Sequence, residues 1–425
     1  MNIQRPTINF QRSVPLLFAV LFLCCIVDIH AAANTDPRLK EFAKLKRQQM
    51  EDLAVRLHLD VPTELRDFFN AAEAGDCAAV SNAYARIQRI TGQLASSITM
   101  PGYTNVLNVP VHETRGAYEF CDWEPGLLER YANGILGSIP SGSVYFGGTD
   151  PGRFVITMFH DTTKSPDIVL LTQKFVITQN ALMDWRYTEY LRLMQGDRLC
   201  LPSTNDIQDV FQEYASDMQE RRRRGEQFNV DEQLDSSNHV RGVAAAMHIN
   251  GIVTKRIFDH NKDKHSFFVE ESYVIPWMYP YMEPHELILK LNSEKTDKLD
   301  PASIERDRAF WARLSKELLA DPRFLHSDGA RKTYSKLRSA IGGLYAYRRM
   351  SEEAEAAYKQ AVELCPTSPE ANFRLAQLYM ELSRVDDAIG VLVQLQKLDP
   401  LNDKLTGAIE QLRKVKQQAA EKQAK

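Results

Sequence analysis

The residues best placed to do chemistry lie in one short stretch, SGSVYFGGTDPGRFV, at positions 141–155. A β-rich run ends there at two glycines, and Asp150 and Pro151 then form a pair typical of a helix start, with Asp150 as the N-cap. Glycines let a ligand approach the backbone closely, and ligands of open α/β sheets bind beyond the carboxyl ends of strands. We therefore predict a small-ligand site whose candidate contacts are Gly147, Gly148, Thr149, Asp150 and Arg153.

The same turn lacks the motifs of familiar nucleotide and hydrolase sites. The chain contains no GxGxxG, no GxxxxGK[ST] and no GxSxG. A carboxylate at Asp150 would stand where a phosphate would bind, so a hydroxyl-rich, sugar-like ligand suits the turn better. This hypothesis makes the protein a small-ligand hydrolase or transferase. The alternative is a capped helix packed against a strand end, with no ligand.

Other polar residues follow predicted strands and could face the same crevice. Because Glu270 and Glu271 adjoin, only one of them can point to a given face of a strand. The histidines and cysteines are scattered without metal-ligand spacing, so we predict no metal, no cofactor and no catalytic residue. The full set of strand-end residues is Gln173, Gln179, Asn180, Glu270, Glu271 and Ser272.

The elements that would position this turn alternate between strands and helices. Such alternation predicts an α/β fold, with a Rossmann-like, largely parallel sheet flanked by helices. Residues 36–100 are predicted to be a helical hairpin or bundle, residues 101–120 an irregular covering segment, and WMYPY at 277–281 an aromatic loop. The predicted strands are 143–146, 168–178, 198–201, 266–271 and 287–291, and the predicted helices between them are 150–159, 180–194, 203–224 and 240–258.

A repeat with a period of 34 residues marks the C-terminal part of the chain. Small and aromatic residues recur at this period, and the pattern resembles the tetratricopeptide repeat, a helix–turn–helix unit. Two positions depart from it, because Arg338 and Asn372 stand where the family usually has an aromatic residue. Residues 403–417 are predicted to be a closing helix. The matched pairs are Gly342 with Ala376, Tyr345 with Tyr379, Ala354 with Ala388, and Pro366 with Pro400.

This resemblance implies a surface that binds a protein or peptide. In the family the first helix of each repeat lines a concave face. Two repeats are fewer than the roughly three that usually stand alone, so the alternative is a unit that only packs on its neighbouring domain. The predicted partner-binding residues are Lys336, Tyr347, Glu370, Gln377, Met380 and Glu381.

The N-terminus is typical of a secretory signal peptide. Arg5 and Arg12 precede an apolar run of 14 residues, 14–27, and Ala31 to Ala33 supply small residues for cleavage. A membrane-spanning helix needs about 20 apolar residues, so a retained N-terminal anchor is the alternative. We therefore predict an exported protein, periplasmic or secreted, that meets a membrane only through this segment if it stays uncleaved.

Charge and cysteine content limit the possible partners and the possible disulfide bonds. A formal net charge of −4 argues against a nucleic-acid partner, and the arginine run 221–224 ends a predicted helix, where cations complement the dipole. Beyond the leader, four cysteines remain, at 77, 121, 200 and 365. Four buried thiols are expected, while a disulfide such as Cys77–Cys121 stays open.

The stretches SGSVYFGGTDPGRFV and FFVEESYVIPWMYPYMEPHELILKLN also carry a fainter resemblance. They resemble a group of bacterial exported proteins with a repeat tail, and the soluble region of O-mannosyltransferase-like membrane glycosyltransferases. No catalytic residue carries over, so the resemblance implies a non-catalytic scaffold or adaptor in a cell-envelope or glycan-related assembly. The predicted layout is a signal peptide (1–33), a helical segment (34–100), an α/β domain (101–300), connecting helices (301–334), two repeats (335–402) and a closing helix with tail (403–425).

Overall fold

The computed structural model describes residues 36–94, 106–163, 174–226, 233–234, 240–400 and 402–423. The predicted signal segment and Gln173 lie outside the described residues. Helix makes up 71% of the described structure. In that part of the chain, no helix combines the length and the apolar character needed to cross a bilayer. The predicted domain boundaries stay predictions.

A small helical bundle opens the described chain. The Asp36 side chain caps the first helix by accepting the backbone N–H of Arg38 at 2.9 Å, and Pro37 fills the first helical position. Leu39 and Phe42 lie on the buried side of that helix. The helices are α1 (Pro37–Arg56), α2 (Thr63–Ala74), α3 (Cys77–Leu94), α4 (Asn108–Tyr118) and α5 (Pro125–Ser138).

Helix α4 corrects the prediction of an irregular segment over residues 101–120. Its valines and Pro110 gave little helix signal. Pro110 lies in the first turn, however, where a missing N–H breaks no helical bond. Nine of the 11 residues of α4 are buried, so packing on nearly every side overrides their low intrinsic helix propensity.

A buried cation joins this bundle to the helices that follow. The Lys46 ammonium on α1 lies 2.5 Å from the carboxylate of Glu113 on α4 and 2.9 Å from that of Asp161. Its side chain is 2% exposed. Burial alone would lower the pKa of Lys46, but the Asp161 and Glu113 carboxylates raise it well above its usual value. The cluster of Lys46, Glu113 and Asp161 therefore has a structural role, because a buried charge is retained only with its partners.

Five short strands form one mixed sheet, in the order β2-β1-β5-β7-β6. Strands β1, β2 and β5 are parallel, and Gly147 at the end of β1 lies level with Thr178 of β2 and Glu270 of β5. Strands β6 and β7 form an antiparallel hairpin beside β5. The strands are β1 (Val144–Gly147), β2 (Phe175–Thr178), β5 (Phe267–Glu270), β6 (Met282–His285) and β7 (Ile288–Leu291), with a separate ribbon of β3 (Gln233–Leu234) and β4 (Val240–Arg241).

The predicted fold class is therefore wrong. A Rossmann-like, largely parallel sheet does not form, because each strand of the main sheet has only four residues and half of the pairings are antiparallel. The predicted strand 198–201 is an irregular connection after a short turn. Strand β6, which was not predicted, begins directly after the aromatic stretch 277–281. The helices near the sheet are α6 (Ile156–Thr162), α7 (Trp185–Gln195), α8 (Thr204–Arg223) and α9 (Val243–Asn261).

The C-terminal third is a stack of helices in which the predicted repeat is present. Gly342 of α12 packs against α13, and a Cβ there would come within 2.7 Å of the Tyr358 ring. A small residue at this position therefore lets the paired helices approach closely, as the repeat pattern predicts. The helices are α10 (Pro301–Leu319), α11 (Pro322–His326), α12 (Asp328–Tyr347), α13 (Ser351–Leu364), α14 (Pro369–Glu381), α15 (Val385–Leu398) and α16 (Asp403–Gln423).

The two positions that depart from the repeat pattern have polar roles. The Arg338 side chain is 3% exposed and pairs with Asp307 of α10 at 2.8 and 3.0 Å. The Tyr345 hydroxyl donates to the same carboxylate at 2.8 Å. In the second repeat, the Asn372 amide donates to the carbonyls of Pro366 and Ser368. The arginine thus joins the first repeat to α10, and the asparagine holds the inter-repeat turn.

Candidate functional site

The predicted ligand turn after β1 holds a carboxylate that belongs to the chain itself. The backbone N–H groups of Gly148 and Thr149 donate to Glu270 Oε2 at 3.0 and 2.7 Å. The Thr149 hydroxyl donates to Glu270 Oε1. Glu270 is 1% exposed and ends the neighbouring strand β5. The donors expected to face a ligand are therefore engaged by Glu270.

The glycines of this turn permit that internal contact. A Cβ on Gly148 would lie 2.3 Å from the carbonyl oxygen of Glu270, and one on Gly152 would lie 1.9 Å from its Oε2. Real Cβ atoms do not tolerate such distances, so both positions need glycine for the backbone to approach Glu270. Close approach by an external ligand is not required to explain them.

Asp150 and Arg153 lie on the outer side of the turn. The Asp150 side chain does not cap the helix, which corrects the sequence prediction. It instead pairs with the Arg153 guanidinium, and it is 55% exposed. Arg153 also lies over the Phe154 ring, 4.4 Å from its centroid. The structure thus brings the five predicted ligand residues into one turn, and the binding of a small ligand there stays a prediction.

Two of the predicted strand-end residues support the same turn. The Asn180 amide donates to the carbonyl of Gly148 at 2.6 Å, and Ser272 lies 3.3 Å from the Asn180 side-chain oxygen. Burial raises the pKa of Glu270, although its bonds from Thr149 and Gly148 act in the opposite direction. The backbone of the turn after β1 is therefore held by Glu270 and Asn180.

Glu271 points to the other side and meets the repeat segment. Its carboxylate accepts the Tyr279 hydroxyl at 2.7 Å and lies 3.3 Å from the Arg374 guanidinium of α14. Arg374 also pairs with Glu370 at 2.9 Å and donates to the carbonyl of Ser339 on α12. Burial alone would lower the pKa of Arg374, but the Glu271 and Glu370 carboxylates raise it. The segment after β5 and the repeats therefore share one ion pair, in which the carboxylate is buried and the guanidinium is partly exposed.

A second contact fixes the end of α12 to the same loop of the sheet. The Tyr279 and Tyr347 rings meet edge to face, with centroids 5.0 Å apart. The Arg348 guanidinium donates to the carbonyls of Tyr279 and Pro280, each at 3.0 Å, and to that of Thr296. The segment after β5 consequently packs against the end of α12 and leaves the Tyr347 side chain half exposed.

The six predicted partner-binding residues divide into two groups. Lys336 and Glu370 lie 3.9 Å apart beside the Arg374 network, and Tyr347 packs on Tyr279. Lys336 and Glu370 are partly buried there, whereas Tyr347 is still 51% exposed. The remaining three lie on the second half of α14, where Gln377 and Glu381 are exposed and hydrogen-bonded to each other, while Met380 is partly buried.

The concave face continues onto α16. The period of 34 residues places Lys404, Gln411 and Lys414 at the positions that Glu370, Gln377 and Met380 occupy in α14. All three are exposed. We call the exposed surface of α14 and α16 the open face, and it comprises Phe373, Gln377, Glu381, Lys404, Gln411 and Lys414.

Sequence reasoning missed Arg374 and Phe373. Both lie on the first helix of the second repeat, where Phe373 is 40% exposed and Arg374 faces Glu271. The spacing of Arg374, four residues after Glu370 on the same helix face, was a usable signal. Its partner Glu271 could not be identified, because the two residues are brought together only by the docking of the repeats on the sheet.

Comparison with known proteins supports the repeat assignment. The tetratricopeptide-repeat family matches residues 350–415. No curated protein matches the chain. Among solved structures, a match is the "TPR2AB-domain:pHSP90-complex of yeast Sti1", 11% identical, covering 82% of this chain and 95% of that one with a TM-score of 0.17.

Residues 350–415 therefore carry tetratricopeptide repeats, and this match supports a protein-interaction scaffold. Neither of the fainter resemblances, to bacterial exported proteins and to membrane glycosyltransferases, is shown by these comparisons.

Proposed function

We propose that the protein is an exported, non-catalytic scaffold that binds a protein partner on the open face of its repeats. The observation that carries this proposal is the division of the concave face. The α12 side is partly covered by the segment after β5 through the Arg348 hydrogen bonds and the Tyr279–Tyr347 contact, whereas α14 and α16 present exposed side chains. The repeats thus dock on the sheet and still keep a surface for a partner.

The chemistry of the open face indicates the kind of partner. Phe373 offers an exposed aromatic ring, which is a common anchor in peptide recognition. Lys404 and Lys414 supply two cations, against the single carboxylate of Glu381. A peptide segment with one apolar side chain and a neighbouring carboxylate would complement this surface.

A place outside the cytoplasm is part of this proposal. The signal segment 1–33 motivates this part of the proposal, and the resemblance to exported repeat proteins motivates a role in an envelope or glycan-related assembly. The five residues of the turn after β1 remain candidates for binding a small polar ligand, which is the alternative hypothesis of a hydrolase or transferase.

Affinity capture with two variants of the open face tests the proposal. The tagged chain is expressed in its own source, crosslinked, and compared with Phe373→Ala and Lys404→Glu. Both changes should reduce recovery of a specific partner by about tenfold or more, because they remove an anchor and reverse a charge at the interface. Lys44→Glu is the matched control, since Lys44 is exposed on α1. Equal recovery with all four proteins would contradict the proposal.

A further inference from the structure

Two cysteines distant in sequence meet at one edge of the N-terminal bundle. Cys77 is the first residue of α3, directly after the turn that ends α2, and Cys121 lies three residues beyond the end of α4. The Tyr118 hydroxyl donates to the carbonyl of Ala72, so the end of α4 is fastened to α2. Cys77 follows Ala72 by five residues and Cys121 follows Tyr118 by three, so this hydrogen bond brings the two segments together.

Their side chains lie close enough to influence each other. The Cys77 thiol acts on that of Cys121, and both residues are partly buried against the hydrophobic core. Cys77 and burial together raise the pKa of Cys121. Both residues are intermediate in exposure, so neither is fully enclosed by the protein.

The other two described cysteines lack such a setting. Cys200 is exposed, and its backbone bonds to the Asn261 side chain. Cys365 is buried, and its sulfur lies 3.6 Å from the Thr367 hydroxyl. The expectation of four buried thiols is therefore wrong for three of them, because Cys77 and Cys121 are only partly buried.

We propose that Cys77 and Cys121 form a disulfide bond that joins the start of α3 to the end of α4. The oxidant is a disulfide, either a thiol–disulfide oxidoreductase or a small molecule such as oxidised glutathione. One cysteine thiolate attacks it, forming a mixed disulfide and releasing one thiol. The second cysteine then attacks its partner's sulfur and releases the other thiol, so two cysteine thiols are oxidised and one disulfide is reduced.

The bond would act by restricting the unfolded chain. It would close a loop from residue 77 to residue 121, which includes α3 and α4, and closing a loop of this size stabilises the folded state by limiting the unfolded ensemble. Because the attacking species is the thiolate, the raised pKa of Cys121 predicts faster oxidation at alkaline pH.

Peptide mapping after redox equilibration tests the bond directly. The full chain is equilibrated in a mixture of oxidised and reduced glutathione, alkylated under denaturing conditions and digested. The expected result is a peptide pair linked through Cys77 and Cys121, with Cys200 and Cys365 alkylated. Recovery of Cys77 and Cys121 as alkylated thiols, while a control disulfide protein in the same buffer is oxidised, would overturn the proposal.

Thermal melting supplies a second measurement. Reductant should lower the melting temperature of the wild type by several degrees and leave that of Cys121→Ser unchanged. Cys200→Ser is the matched control and should keep the full sensitivity to reductant. A reductant-dependent shift that persists in Cys121→Ser would contradict the assignment. The mapping of the wild type remains decisive if the serine variant does not fold.

Discussion

Glu270 and Glu271 show how two identical neighbours take opposite roles. Glu270, the last residue of β5, faces the turn after β1, while Glu271, the next residue, faces the repeats. Each carboxylate is buried and hydrogen-bonded, as a buried charge must be. The sequence pattern predicts the opposite orientations. It does not predict that both sides are occupied by groups of the same chain.

Substitution of Glu270 should separate hydrogen bonding from charge. Glu270→Ala leaves the N–H groups of Gly148 and Thr149 without an acceptor and should lower the free energy of unfolding by about 3 kcal/mol. Glu270→Gln keeps one acceptor oxygen and should cost much less. Urea unfolding of the three proteins measures both effects, and an equal loss in the two variants would contradict this account.

The pH dependence of the same variants follows from the pKa. Burial raises the pKa of Glu270, so the native state binds the proton more tightly than the unfolded chain does. Its contribution to stability is therefore greatest below the unfolded pKa and is lost as pH rises through the folded value. Relative to Glu270→Gln, the wild type should gain stability from pH 8 to about pH 5. A difference that does not vary with pH would contradict the prediction.

At the scale of elements, polar contacts decide how the helices assemble. The Arg338–Asp307 pair joins the first repeat to α10, and the Glu271–Arg374 pair joins the second repeat to the sheet. Both arginines lie on the first helix of a repeat, in positions where they face the rest of the protein. The repeats are therefore docked by ion pairs as well as by their apolar seams.

The buried pair at Asp307 should show strong coupling. Arg338→Met alone leaves a buried carboxylate unpaired and should cost about 3–5 kcal/mol. Adding Asp307→Asn removes that charge while keeping an acceptor for the Tyr345 hydroxyl, so the double variant should recover about 2 kcal/mol or more. Urea unfolding of the four proteins in a double-mutant cycle measures the coupling. Costs that add within about 0.5 kcal/mol would show that the pair is not coupled.

The repeat was predictable because its signal is local, whereas the sheet was not. Gly342 and Ala376 recur at one helix contact, and that spacing is visible in the sequence. The pairing of β1 with β5 joins residues more than a hundred positions apart, so no local pattern reports it. Helix α4 was missed because burial, and not propensity, holds it.

At the scale of the whole molecule, the repeats are part of one folded unit. Glu271 and Tyr279 are buried beneath α12 and α14, and the Tyr345 hydroxyl reaches Asp307 of α10. A covered, paired carboxylate becomes costly when its partner is removed. The repeat segment is therefore not a tail that can be deleted without effect on the remainder.

Truncation should reveal this dependence. A chain that ends at residue 327 loses Arg338 and Arg374, so Asp307 and Glu271 keep no cationic partner in these pairs. It should melt at least about 10 °C below the full chain or fail to accumulate in soluble form, because two buried carboxylates lose their cationic partners. Circular dichroism melting measures the effect, with a chain ending at Pro400 as the control that keeps α12 to α15. Equal melting temperatures for the short and full chains would contradict the prediction.

The adjacency of Glu270 and Glu271 has a mechanical consequence. Glu271, which pairs with Arg374 of α14, directly follows Glu270, which binds the turn after β1. If a bound partner displaced α14, the chain between these two consecutive residues would be too short to absorb the movement. A displacement of Glu271 would therefore also displace Glu270 and the turn after β1.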